Sequence, residues 1–102
     1  MPRHPDLPDP VAETFRQWFA TPKTPARVLA ALYRANGMIV THADLADQAM
    51  TNYRGVSNAV YRLHRAMDPG ACSCVRGVGY RLTRVGLADC AAALEDYERR
   101  VA

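Results

Sequence analysis

Two glycines one residue apart, Gly77 and Gly79, separate two short runs, Cys72–Val75 and Tyr80–Thr83. Glycine reaches the positive φ angles of a tight turn at no steric cost, so this arrangement predicts a β-hairpin around Arg76-Gly77-Val78-Gly79. The chain just upstream follows a different period. Val56, Ala59 or Val60, Leu63 and Met67 recur at helical spacing, and Asp68-Pro69-Gly70 closes the segment. A helix from about Val56 to Met67 is therefore followed directly by a hairpin.

Further helices flank this pair. Residues 1–8 hold prolines and charges without apolar periodicity and read as a flexible tail. Asp9-Pro10 opens a helix over 9–20, because Asp caps free N–H groups and Pro suits the first helical position. Val11, Phe15, Trp18 and Phe19 give it one apolar face. Thr24-Pro25 opens a second helix, with Val28, Leu29 and Leu32 inward and Asn36-Gly37 as its stop. Met38-Ile39-Val40 suits a small strand. Thr41 then caps a third helix, with Asp44 at the capping-box position and Leu45, Ala46, Ala49 and Met50 inward. Thr51 to Gly55 makes the turn before the fourth helix. The predicted fold is mainly α with a small β-hairpin (α+β), a winged helix-turn-helix with additional N-terminal and C-terminal helices.

The last segment, 85–102, spaces Leu87, Cys90, Leu94, Tyr97 and Val101 alternately by three and four. That spacing makes an apolar seam of about two heptads. The seam either packs on its own domain, against Val11, Phe15, Trp18 and Phe19, or pairs with a second copy as a homodimer.

Charge is distributed unevenly. Residues 1–53 carry five basic and five acidic side chains. Residues 54–84 carry Arg54, Arg62, Arg65, Arg76, Arg81 and Arg84 against Asp68 alone, and residues 85–102 are net acidic by two. A basic segment that coincides with a helix and hairpin is the footprint expected for a phosphate backbone. On the fourth helix, Asn58, Tyr61, Arg62 and Arg65 point away from the apolar positions.

The run Arg54-Gly55-Val56-Ser57-Asn58-Ala59-Val60-Tyr61-Arg62-Leu63-His64-Arg65, followed by Val75-Arg76-Gly77-Val78-Gly79-Tyr80-Arg81-Leu82, resembles the C-terminal DNA-binding domain of two-component response regulators of the OmpR/PhoB type. The first run is similar to that family's recognition helix and the second to its wing signature. The resemblance covers about residues 24–83. It implies Val56, Val60 and Leu63 as core, and Arg54, Asn58, Tyr61, Arg62, Arg65 and Arg76 as DNA-binding residues. Arg62 and Arg65 would meet phosphates or guanine edges, Asn58 could read adenine, and Arg76 would approach the minor groove or its phosphates. Tyr80 is better read as an anchor beneath the wing.

Three departures qualify the resemblance. No receiver domain accompanies this sequence, so phosphorylation is not the expected switch. The loop before the recognition helix is short. In the family that loop can contact RNA polymerase, and its shortness here leaves that partner open. A helix at 9–20 also replaces the family's opening sheet.

The expected function is sequence-specific binding of double-stranded DNA by a standalone transcriptional regulator of bacterial or phage type. The alternatives are a winged-helix protein-interaction module and a non-specific architectural DNA-binding protein. An enzyme is not expected. His4, His42 and His64 fall in a tail, a helix start and the recognition helix, with no nucleophile or carboxylate pair around them. No cofactor is expected either. Cys72-Ser73-Cys74, even with His64, lacks zinc spacing, and an odd cysteine count without an export signal points to reduced thiols. With no apolar stretch of about eighteen residues, the chain is expected to be cytoplasmic, without a membrane partner.

Overall fold

The structure is a computed structural model and describes residues 9–101. The tail read at residues 1–8 lies outside them. Asp9 sets the first contact. One of its carboxylate oxygens accepts from the amides of Val11 (3.1 Å) and Ala12 (3.3 Å) at the start of α1, Pro10–Trp18. The same carboxylate holds the Arg34 guanidinium through two bonds of 2.9 and 2.6 Å. Arg34 is the last residue of α2, Lys23–Arg34. A single side chain thus caps one helix and pins it antiparallel to the next, with the geometry of a strong charge-assisted pair.

Helix α1 ends earlier than its predicted bound. Ala20 adopts φ 53, and the Thr21 amide donates to the Arg16 carbonyl at 3.1 Å, a Schellman closure. Phe15 is fully buried, edge-on to Tyr33 with ring centres 5.7 Å apart. Trp18 is not on that face and stays 45% exposed, because the helix turns it toward the open side of the packing with the last helix. Helix α2 starts at Lys23 rather than at a Thr24 cap. Pro22 is its N-cap residue, and no side chain caps the helix. Val28, Leu29 and Leu32 are fully buried as predicted, and α2 packs against α1, α3 and α4.

Asn36 and Gly37, at φ 52 and φ 89, end α2. Of the apolar run Met38-Ile39-Val40 only Val40 enters a strand, β1, Val40–Thr41, while Met38 and Ile39 are exposed. The Thr41 hydroxyl accepts from the Asp44 amide at 3.1 Å and caps α3, His42–Gln48. Leu45 and Ala49 are buried, but Met50 does not join them. It sits at φ 55 in a second Schellman closure, Thr51 N–H to Ala46 carbonyl at 2.8 Å, which directs its side chain outward.

Helix α4, Tyr53–Ala66, follows, then strands β2, Cys72–Val75, and β3, Gly79–Leu82. The sheet has three antiparallel strands in the order β1-β3-β2, one more than the predicted hairpin. Val40 pairs with Tyr80, Thr41 with Gly79 and Cys72 with Leu82. Gly79 has no alternative at this place, since a Cβ there would strike the Val40 carbonyl. The order of three helices and a hairpin is a winged helix-turn-helix arrangement, extended by a helix at each end.

Helix α5, Arg84–Val101, starts one residue before its predicted bound, where the Thr83 hydroxyl accepts the Gly86 amide at 3.3 Å. Cys90 and Ala93 are fully buried, and Leu87 and Leu94 pack partly against the core, with α1 alongside. The first part of the seam is therefore used within the chain, and only Tyr97 and Val101 remain exposed. No helix among the described residues is long and apolar enough to cross a membrane.

Two substitutions test the backbone constraints through their urea-unfolding midpoints. Ala20→Gly relieves a left-handed residue and should raise stability by about 1 kcal/mol. Gly79→Ala forces β1 from β3 and should lower it by roughly 2–3 kcal/mol.

Candidate nucleic-acid interface

The helix that carries the predicted contacts begins earlier than its apolar spacing suggests. Asn52 is its cap, with Oδ1 accepting the Gly55 amide at 2.9 Å. The turn between α3 and α4 therefore spans only residues 49–52, and Arg54, expected in that turn, lies in the first turn of α4. Val56, Ala59, Val60 and Leu63 face the core. Arg54, Asn58, Tyr61, Arg62 and Arg65 recur at i, i+4, i+7, i+8 and i+11 and are exposed along the opposite side.

Arg65 folds back along this stripe. Its guanidinium donates to the Tyr61 hydroxyl at a long 3.4 Å and lies 5.9 Å from the ring centre. Such cation–π contact narrows the positions the arginine samples. Arg76 is exposed at the wing tip, where Gly77 takes φ 76 and the Val78 amide donates to the Val75 carbonyl at 2.9 Å. Arg81 points outward from β3.

The pairing of these charges is uneven. Arg16, Arg34 and Arg100 each hold a carboxylate, on Glu13, Asp9 and Asp96 respectively. Among the described residues, Arg54, Arg62, Arg65, Arg76, Arg81 and Arg84 hold none. The lone acid of that segment, Asp68, instead accepts the Gly70 amide at 2.8 Å and closes the turn after α4.

An aromatic junction fixes α4 against the wing. His42, first in α3, stacks on Tyr53 at 4.4 Å and 26°, and meets Tyr80 of β3 edge-on at 4.8 Å and 73°. The His42 Nδ1 atom is buried with no hydrogen-bond partner among the described residues. Burial pushes the Tyr80 hydroxyl above its ordinary range, and Ser57 of α4 acts in the opposite direction. Tyr80 is thus an anchor under the wing. The sequence offered no motif for this junction, because its members lie in three separate elements.

The structure also places a second wall beside the basic stripe. Ala20, Thr21 and Pro22, from the α1–α2 corner, form an open cleft of about 460 Å³ with Asn58, Tyr61, Arg62 and Arg65. Four of the six predicted contact residues therefore meet in one concavity. Arg54 and Arg76 lie outside its lining, at the first turn of α4 and the hairpin tip.

No protein-family model, curated protein or solved structure matches this chain.

The cysteines differ in environment. No group of three or more His, Cys, Asp or Glu among the described residues could hold a metal ion. Cys72, Cys74 and Cys90 are free thiols, and only Cys74 is exposed. Burial pushes Cys72 up to about 11 and Cys90 up to about 12, so both stay protonated and unreactive at mildly alkaline pH. A thiol-reactive chromophore should label Cys74 alone in the native chain, and Cys74→Ser should abolish that signal. Labelling of the remaining thiols should appear only on unfolding.

Proposed function

We propose that this chain binds double-stranded DNA sequence-specifically, as a transcriptional regulator with α4 in the major groove and the β2–β3 wing beside it. One observation carries the reading. All six arginines of α4, the wing and the start of α5 hold no carboxylate among the described residues, whereas elsewhere Arg16, Arg34 and Arg100 hold one and Arg27 and Arg99 do not. An uncompensated row of guanidinium groups on an exposed helix suits a partner that is itself a row of anions.

The roles divide by position. Arg54 and Asn58 lie in the first half of α4, the part of a recognition helix that approaches base edges, and Tyr61 and Arg62 follow on the same side. Asn58 has the paired donor and acceptor that match adenine, and Arg62 the fork that matches guanine. Arg65 and Arg76 serve the backbone, which fixes register without reading sequence. The resemblance to OmpR/PhoB-type domains supports the same assignment, as does the aromatic junction that holds helix and wing in one orientation. No catalytic step belongs to this reading.

A partner-protein role has one feature in its favour. Trp18 and Tyr97 line an open groove of about 270 Å³ between α1 and α5, remote in sequence from the basic segment. A second copy docking on α5 would meet Tyr97 and Val101 rather than the whole seam.

Selection of bound duplexes from a random pool, repeated at two salt concentrations, tests the proposal. An enriched motif with steeply salt-dependent affinity is expected. Uniform weak binding would favour an architectural protein, and no binding a protein partner. On the enriched duplex, Arg62→Ala should cost about 1–3 kcal/mol and relax preference at one base pair. Arg65→Gln should weaken all duplexes alike and reduce the logarithmic salt slope by about one unit.

A further inference from the structure

The cleft between the α1–α2 corner and α4 contains a polar group that nothing in the fold explains. Thr21 lines it, is only 7% exposed, and its hydroxyl has no hydrogen-bond partner among the described residues. A buried hydroxyl normally finds a partner, because an unmet one keeps its full desolvation penalty. The hydroxyl lies in the one-residue step between a left-handed Ala20 and the N-cap Pro22, where the backbone leaves α1 and enters α2.

The surroundings point to one chemistry. No side chain caps α2, so the positive end of a twelve-residue helix opens at Pro22. Pro25 has no N–H, which leaves the Lys23 and Thr24 amides as the donors of that first turn. Across the cleft stand Arg62 and Arg65, neither paired with a carboxylate among the described residues. The lining contains no acidic residue. Two unpaired guanidinium groups and the Thr21 residue border this concavity without any carboxylate, the uncapped end of α2 begins at its Pro22 wall, and the matching ligand is an oxyanion such as phosphate.

We propose that this cleft is a phosphate-binding site, with Arg62 and Arg65 supplying charge, the α2 N-terminus its dipole, and Thr21 a neutral donor. The inference shares its two arginines with the DNA reading and otherwise stands apart from it. The phosphate belongs either to a duplex backbone, flanking the bases that α4 reads, or to a free phosphate ester that competes with DNA for those arginines.

Titration of nitrogen-15-labelled protein with inorganic phosphate tests it, with sodium chloride at matched ionic strength as control. Saturable shifts of the Thr21, Lys23 and Thr24 amides are expected with phosphate and not with chloride. Thr21→Val and Arg65→Gln should each weaken phosphate about tenfold, the scale of one lost hydrogen bond to an ion. Thr21→Val removes an unmet polar group, so its melting temperature should hold or rise, which separates lost binding from lost folding.

Shifts equal in chloride, or affinities unchanged in both variants, would overturn the proposal. A duplex arm identifies the source. Duplex affinity that falls several-fold in Thr21→Val assigns the phosphate to the DNA backbone. Duplex affinity unchanged in a variant that has lost phosphate binding assigns it to a free ester. A chain that binds no duplex at all sinks the DNA reading, while the phosphate titration still decides the cleft.

Discussion

The β1–β3 pairing carries more of this architecture than its two residue pairs suggest. Val40 and Thr41 meet Tyr80 and Gly79 across most of the domain's sequence, and the approach is close enough that a Cβ on Gly79 would strike the Val40 carbonyl. The residue after β1 is His42, whose ring lies against Tyr53 on one side and Tyr80 on the other. One backbone contact therefore sets the wing against the start of α3, and through two aromatic contacts against the start of α4. Aromatic pairs of this kind add about 0.5–1.5 kcal/mol beyond the area they bury. Their greater effect here is directional, since they leave the exposed stripe of α4 and the wing tip in one fixed relation.

The remaining helices support that unit from behind. Helix α2 is buried on several sides, and α1 is tied to it by the Asp9 cap and the Asp9–Arg34 pair. Placing α1 there determines where the α1–α2 corner falls. The corner meets the basic face of α4, and so adds Thr21 and the uncapped end of α2 to a surface that α4 alone would leave open. Helix α1, an addition to the winged unit, thus shapes the candidate site as well as the core.

Two of the tight closures use residues that the left-handed conformation disfavours. Ala20 and Met50 occupy it where glycine would be relaxed. Each follows a short helix and turns the chain sharply into the next one, and each costs about 1–2 kcal/mol relative to a helical backbone. The packing they permit has to offset that cost. The α1–α2 corner places a wall beside the basic stripe, and the α3–α4 turn delivers the chain to the Asn52 cap of α4.

Local rules determined much of this chain. The Asp9 and Thr41 caps, the Asn36-Gly37 stop, the hairpin around Gly77 and the buried face of α4 all depend on neighbours within a few residues, so spacing and residue type reveal them. The stripe of Asn58, Tyr61, Arg62 and Arg65 was legible for the same reason, since a helix fixes which residues share a side. Other features needed partners distant in sequence. The α4 start was misplaced because Asn52 acts as a cap only once the Schellman closure at Met50 delivers the chain to it. Trp18 and Met50, apolar by type, face outward because tertiary packing and a left-handed turn direct them there. The pairing of β1 with β3, the His42 junction and the Thr21 cleft each join residues from separate elements. No periodicity encodes such meetings, and only the folded chain brings those groups within reach of one another.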